Sequence, residues 1–287
     1  MPNLKNLQIV IILLFTSSMV SCQGSANKKS YRSSDMYDIA NPVIINLPEE
    51  LDEISGIAYY PKDTSVFGII DEDGILFKIP VLHPEQVKEW RYDTKHDFED
   101  VVLKDSIFYA LISNGSIETL RFEGDKIVTE KLAFEDASKK INEFETLYYD
   151  EEVNKMVIIC KKCEEDKRKK VSAFYFDDSA KTFMPYMEID VAPVAQKLGV
   201  EKLELKPSAA AINPVTKDLY IVCSVSKLLL ITDRSGKFKD VFELNPKIYK
   251  QPEGLAFTPA GDLIISNESH LEGYGTLLVM KNKKKGK

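Results

Sequence analysis

The chain has 287 residues, a formal net charge of −7 and 44% hydrophobic residues. This length and apolar content suit one domain with a sizeable core. The acidic balance argues against nucleic-acid binding, because such proteins carry a basic surface. Only four cysteines and three histidines are present, so the ligand count excludes a zinc ribbon.

The first 22 residues indicate a lipoprotein signal peptide. Lys5 supplies a positive charge, and residues 7–15 form an apolar segment too short to span a bilayer as a mature helix. Residues 19–22 look like a bacterial lipobox, in which Cys22 becomes the lipidated first residue. An ordinary secretory signal followed by an unmodified cysteine is the alternative. We therefore predict lipidation at Cys22, membrane anchoring in the cell envelope, and a flexible polar tether over residues 23–40.

One pattern recurs five times between residues 41 and 282. Each copy has a polar residue, a short strand, a turn, a strongly apolar run, a polar cluster and a third strand. Periods in the mid-forties built from short strands rich in Val, Ile, Tyr and Phe are typical of propeller blades. We predict an all-β, five-bladed β-propeller that is a monomer, with a β-sandwich as the alternative. The matched polar residues, spaced by 44, 46, 63 and 45 positions, are Ser55, Glu99, Glu145, Ser208 and Glu253.

The last unit, residues 251–280, has only three strand candidates. We predict that residues 43–47 supply its missing outer strand, which closes the ring and removes an exposed sheet edge. In the longest interval, charged residues 164–170 predict a solvated hairpin tip, and residues 191–199 predict a short helix ending at Gly199. The basic residues 283–287 predict a frayed end, with a membrane-surface contact as the alternative.

Three cysteines remain after the leader, an odd number that gives no complete disulfide framework. Cys160 and Cys163 have the spacing of half a metal site, a redox pair or a local disulfide. Cys160 and Cys223 also end equivalent apolar runs, which favours core positions for both.

Three pairs of motifs follow one another along the chain: Glu53 to Tyr59 with Asp71 to Gly74, Lys206 to Ser208 with Ser224 to Lys227, and Gln251 to Phe257 with Ser266 to Glu268. These motifs resemble the SdiA-regulated-domain family, and the resemblance covers nearly all of residues 47–280. It implies an NHL-like β-propeller of bacterial envelope proteins, many of them lipoproteins, and it implies no particular chemistry.

The matched residues should meet at one mouth of the central channel, because the innermost strands of a propeller surround it. We also expect Asp71, Asn114 and Asn267, which follow second strands, to line that mouth. Converging carboxylates repel unless a cation or proton lies among them. Hard oxygen ligands suit Ca²⁺, so the predicted metal ligands are Glu99, Glu145 and Glu253.

Two other roles for these glutamates stay open. They could be struts that satisfy buried backbone amides at the blade junctions. They could also be catalytic, by fold-level analogy with lactonase propellers that hold a catalytic Ca²⁺. His96 and His270 are candidate bases near the mouth, although a histidine on a loop is more often simply exposed.

The sequence contains no Gly-x-Ser-x-Gly motif, phosphate loop or dinucleotide fingerprint. We therefore predict a lipid-anchored envelope propeller that binds a small-molecule or protein ligand without turnover. The alternative is a Ca²⁺-dependent hydrolase of lactones or esters that acts in the channel.

Overall fold

Five antiparallel sheets of four strands each make up most of the structure. It is a computed structural model that describes residues 30–94, 96–132, 142–177, 182–269 and 273–284. No helix within these ranges is long and apolar enough to cross a membrane. The predicted signal peptide with Cys22, residues 23–29 of the predicted tether, and His270 lie outside the described residues.

Four of the sheets consist of strands that follow one another in the chain. The first blade contains β2 (Ile54–Tyr60), β3 (Ser65–Ile70), β4 (Ile75–Pro80) and β5 (Lys88–Arg91). The second blade contains β6 (Phe98–Lys104), β7 (Ile107–Ile112), β8 (Ile117–Glu123) and β9 (Lys126–Leu132). The third blade contains β10 (Glu143–Asp150), β11 (Lys155–Lys162), β12 (Lys170–Asp177) and β13 (Thr182–Asp190). The fourth blade contains β14 (Ala209–Ile212), β15 (Leu219–Cys223), β16 (Leu228–Thr232) and β17 (Phe238–Glu243).

The fifth blade joins the two ends of the propeller. Its own strands are β18 (Gln251–Phe257), β19 (Leu263–Glu268) and β20 (Thr276–Met280), and its outer strand is β1 (Val43–Asn46). Val43 lies opposite Val279 in an antiparallel ladder. The predicted closing strand is therefore confirmed to within one residue. The innermost strands contact one another in chain order, and β18 returns to β2, so the blades form a ring.

The core is divided into five hydrophobic clusters, each lying between two neighbouring blades. The cluster between the first and last blades, for example, combines Val66 and Phe77 with Ile264 and Leu277. Strands buried on both faces need near-continuous apolar sequences, and β15 and β16 are buried along their whole length. The short apolar runs of the sequence follow from this packing.

The segment before β1 packs on the propeller, which corrects the predicted tether for residues 31–40. Met36, Tyr37 and Ile39 are buried between blades four and five. The Tyr37 hydroxyl donates to the Gly261 carbonyl oxygen at 2.6 Å. The backbone N–H of Lys283 donates to Met36 at 2.9 Å, so the predicted frayed end is also fixed at its first residue.

The long interval after Glu145 contains the helix and a partly buried turn. Helix α1 (Val191–Leu198) ends at Gly199, which has a left-handed φ of 69° that glycine adopts readily. This confirms the predicted helix. The predicted solvated tip needs correction at Asp166, which is buried and accepts hydrogen bonds from the N–H and hydroxyl of Ser172.

Cys160 and Cys163 form a disulfide, and Cys223 is free and buried. The bond closes a very short loop, for which chain-entropy arguments give about 2 kcal/mol. We expect a thiol-free reductant to lower the melting temperature by roughly 4–8 °C in a domain of this size. A Cys160→Ser/Cys163→Ser variant should melt at the lower temperature with and without reductant. Equal melting of the wild-type protein in both conditions would contradict the expectation.

Candidate functional site: an acidic mouth of the channel

The three predicted glutamates all lie at β-bulges of innermost strands. The ladders between first and second strands skip Glu99, Glu145 and Glu253, and in the first blade the ladder skips Ser55 and Gly56. A bulge adds one unpaired residue and re-aims its side chain. Four blades thus use one backbone device at the repeat position that the sequence singled out.

The carboxylates at these bulges interact across the ring. The charge of Glu253 acts on Glu99 and on Glu268, and the charge of Asp71 acts on all three. Such interactions between charges fade over about 10 Å in salt solution, so these groups share one mouth of the channel. We call the set Asp71, Glu99, Glu145, Glu253 and Glu268 the acidic mouth.

Burial makes the ionised forms of these carboxylates unfavourable. It raises the pKa of Glu99 to about 8, assisted by the neighbouring charge of Asp97. It raises the pKa of Glu268 to about 7, assisted by Glu253. The pKa of Glu253 is also raised by burial, against a hydrogen bond from Ser224 that lowers it. At neutral pH the acidic mouth therefore favours either bound protons or a nearby cation.

Two lysines that were not predicted as site residues, Lys161 and Lys227, supply positive charge at the acidic mouth. The Lys161 ammonium pairs with Glu145 and lies 3.2 Å from Glu143 Oε1, and its charge also acts on Glu99 and Glu253. Lys227 Nζ donates to the Ser224 carbonyl oxygen at 2.7 Å, and burial lowers its pKa. Lys161 comes directly after the apolar run of the third unit, where the runs of other units are also followed by polar residues, and this position was the available signal.

The structure assigns the strut role to Ser208, Ser266 and Asp100. The Ser208 hydroxyl donates to the Pro252 carbonyl oxygen at 2.8 Å, which joins blades four and five. The Ser266 hydroxyl donates to the Ser55 carbonyl oxygen at 2.7 Å, which joins blades five and one. Asp100 Oδ2 accepts the N–H of Leu147 at 2.9 Å, which joins blades two and three.

The remaining predicted residues make local contacts. Asn114 is exposed, and its Oδ1 accepts the N–H of Ser116 within its own turn at 2.9 Å. Asn267 is buried and donates to the Ile248 carbonyl oxygen at 2.8 Å. His96 is exposed, and its Nε2 lies 3.2 Å from Asp93 Oδ2. The exposed position of His96 agrees with the simpler expectation for a loop histidine.

The donor chemistry of the acidic mouth suits Ca²⁺, but its present geometry is open. Within the described ranges, the single group of three acidic, histidine or cysteine ligand atoms lying within 4.8 Å of one another is Cys160, Cys163 and Asp166. Its two cysteines are joined in the disulfide. To hold a metal ion, the carboxylates of Glu99, Glu145 and Glu253 would have to move closer to one another, and the Lys161 ammonium would have to move away.

No protein-family model and no curated protein sequence matches the chain. The resemblance to the SdiA-regulated family therefore stays a prediction. Among solved structures, the glutaminyl cyclase of Myxococcus xanthus is similar, with a TM-score of 0.56 at 13% identity over 84% of this chain and 95% of that one. The PQQ-bound aldose sugar dehydrogenase of Streptomyces coelicolor gives a TM-score of 0.51 at 8% identity, over 84% of this chain and 98% of that one.

The chain is a five-bladed β-propeller. A putative glucose dehydrogenase of Thermus thermophilus has the same kind of similarity, with a TM-score of 0.52 at 9% identity over 84% of this chain and all of that one. At such identities the likeness shows the fold alone, because one fold hosts many unrelated activities.

Proposed function

We propose that this propeller is a lipid-anchored module of the cell envelope that binds a cationic ligand at the acidic mouth, without turnover. The observation that carries the proposal is the convergence of partly desolvated carboxylates from four blades on one channel mouth. The anchor rests on the lipobox that ends at Cys22. A cation is the ligand that relieves both the burial and the mutual repulsion of these groups.

Lys161 indicates the chemistry of that ligand. Its primary ammonium is the group that the acidic mouth already accepts, against Glu145 and within range of Glu99 and Glu253. An organic ammonium would add to or replace this contact with little rearrangement. Ca²⁺ is the second form of cation that the oxygen donors suit, and it requires the carboxylates to close around it.

Isothermal titration calorimetry of the full mature chain with putrescine and, separately, with Ca²⁺ tests the proposal. We expect binding of at least one of them, weakened tenfold or more in Glu99→Gln/Glu253→Gln. Lys161→Met should strengthen binding, because it removes the competing resident cation. Glu123→Gln is the matched control, since Glu123 is exposed at the end of β8, and it should leave affinity unchanged.

The outcomes separate the two cations. Binding of putrescine alone supports an organic ammonium site, whereas binding of Ca²⁺ alone supports a metal site. If neither binds the wild-type chain, or if Glu123→Gln weakens binding as much as the double variant does, the acidic mouth is not a cation site.

A second candidate function, Ca²⁺-dependent hydrolysis of lactones or esters, is favoured by one observation. The pKa of Glu99 is raised to about 8, mainly by burial, which suits a group that exchanges protons near neutral pH. Hydrolysis of a lactone panel with and without Ca²⁺ tests it. Turnover that requires Ca²⁺ and is lost in Glu99→Gln would replace the binding-only proposal.

A further inference from the structure

The channel has a second compartment at the opposite end of the innermost strands, with a different chemistry. A cavity of about 770 Å³ opens there, within the size range of sites for small ligands. We call this compartment the apolar funnel. The residues four positions after the matched polar residues form its outer ring, and all five are apolar or aromatic and partly exposed: Tyr59, Leu103, Tyr149, Ile212 and Phe257.

Residues at equivalent positions of all five blades also form the inner walls of the apolar funnel. Every blade contributes the residues two and three positions after its matched polar residue, and these are aliphatic except for Tyr148. Four residues of extended strand span about 13 Å, so the outer ring lies that far from the acidic mouth. The two ends of one channel thus differ in chemistry.

A narrow layer separates the two compartments. It contains the residues one position after the matched polar residues, and of these only Asp100 lines the apolar funnel. Neighbouring backbones approach closely in this layer, because a Cβ on Gly56 would lie 2.4 Å from the Cα of Asp100 and one on Gly254 would lie 2.6 Å from the Ser55 carbonyl oxygen. Asp100 is therefore the polar floor of an otherwise apolar compartment.

The floor carries a carboxylate that has no cation beside it. Asp100 is 3% exposed, and its oxygens accept the N–H groups of Val101 and Leu147 at 2.8 and 2.9 Å. No lysine or arginine of the described part of the chain pairs with it. An ionised carboxylate can accept more than two hydrogen bonds. A buried carboxylate without a counter-charge is unfavourable unless a positive group pairs with it.

The rim of the apolar funnel is polar. Arg234, from the turn between β16 and β17, pairs with Asp150 and Glu152. Lys217, Glu151 and Thr258 complete the polar groups of the rim. The rim thus carries two positive side chains, Arg234 and Lys217, against three carboxylates, Asp150, Glu151 and Glu152, so it has no excess of positive charge for an anionic ligand. At the floor, burial raises the pKa of the Asp100 carboxyl well above its ordinary value, and a positive group beside it would stabilise the ionised form.

We infer that the apolar funnel binds a hydrophobic amine, with the apolar body against the five-residue ring and the ammonium nitrogen directed to Asp100. The ring supplies five apolar contacts in a compartment large enough for an aromatic body, and Asp100 supplies the charge-assisted acceptor. This site is distinct from the cation site proposed for the acidic mouth, because the narrow layer lies between them.

The test uses dansylcadaverine, a fluorescent aromatic body with a primary amine, and its N-acetylated derivative, which lacks the charge. We expect blue-shifted, enhanced fluorescence with the full chain, and binding at least tenfold tighter for the amine than for the acetylated probe. Leu103→Lys should weaken amine binding tenfold or more. Val128→Lys is the matched control, because Val128 is 47% exposed on an outer strand, and it should bind as the wild-type chain does.

Two further results bear on the site. Glu253→Gln alters the acidic mouth only and should leave probe affinity unchanged, so loss of probe binding in this variant would place the probe at the wrong end of the channel. Equal affinity for the two probes would overturn the assignment of an amine to Asp100. Unchanged binding in Leu103→Lys would show that the apolar funnel is not the site. The comparison of the two probes uses the wild-type chain, so it does not depend on whether a variant folds.

Discussion

Replacing Gly56 by alanine is expected to destabilise the propeller by on the order of 3 kcal/mol or more. The added Cβ would lie 2.4 Å from the Cα of Asp100 and 2.6 Å from the N of Val101. Both are backbone atoms of the next innermost strand, so relief would require two blades to separate. Overpacking of this kind commonly costs about 1–3 kcal/mol when side chains can adjust, and here they cannot. Urea unfolding monitored by circular dichroism measures the change.

The control is Gly124→Ala, which tests the loss of a glycine without the clash. Gly124 has a φ of +65°, and nothing lies within 4 Å of a Cβ built there. Its replacement should cost only about 1–2 kcal/mol, from the left-handed backbone. Equal destabilisation by the two changes would show that blades one and two do not approach as closely as the structure has them.

The repeat could be read from the sequence because one physical constraint acts in every blade. The start of each innermost strand meets the same axis, so Ser55, Glu99, Glu145, Ser208 and Glu253 occupy equivalent places. The closing strand followed from the missing fourth strand of the last unit and from the need to cover a sheet edge. Both features follow from repeat spacing and hydrophobic pattern, which can be read directly from a sequence.

Contacts between blades were harder to anticipate. Met36 and Tyr37 lie in a polar stretch of the sequence. Their burial depends on a groove between blades four and five, which no local sequence pattern indicates. Lys161 lies between two cysteines, and the charged loop that follows suggested solvent rather than the acidic mouth. The apolar residues four positions after the matched ones are visible in the repeat, but only the ring shows that they face one compartment.

The protein is expected to be more stable at pH 5 than at pH 8.5, opposite to the trend of an ordinary paired carboxylate. The pKa of Glu99 rises from its ordinary value of 4.5 to about 8 in the folded chain, mainly through burial. Between these two values the folded state binds more protons than the unfolded state. Stability therefore falls as pH rises through this window and is level above it.

The expected loss between pH 5 and pH 8.5 is roughly 3 kcal/mol, after allowance for the partial exposure of Glu99. Glu268, whose pKa burial raises to about 7, adds to the same trend. Asp63 and Asp233 have lowered pKa values, through hydrogen bonds from Lys78 and Ser235 respectively. The stability that these two groups contribute is therefore lost only as the pH falls below about 4. Unfolding in urea at pH 5, 6.5 and 8.5 measures the profile.

Glu99→Gln removes one of the groups whose pKa burial raises and should reduce the slope of this profile, leaving the variant more stable than the wild-type chain at pH 8.5. Asp63→Asn is the control and should keep the slope of the wild-type chain. A cation bound at the acidic mouth replaces the protons, so its stabilising effect on the wild-type chain should be larger at pH 8.5 than at pH 5. In Glu99→Gln the stabilising effect of the cation should be similar at the two pH values. If wild-type stability instead rises with pH and matches that of Glu99→Gln throughout, Glu99 ionises freely and the mouth has no need of a cation.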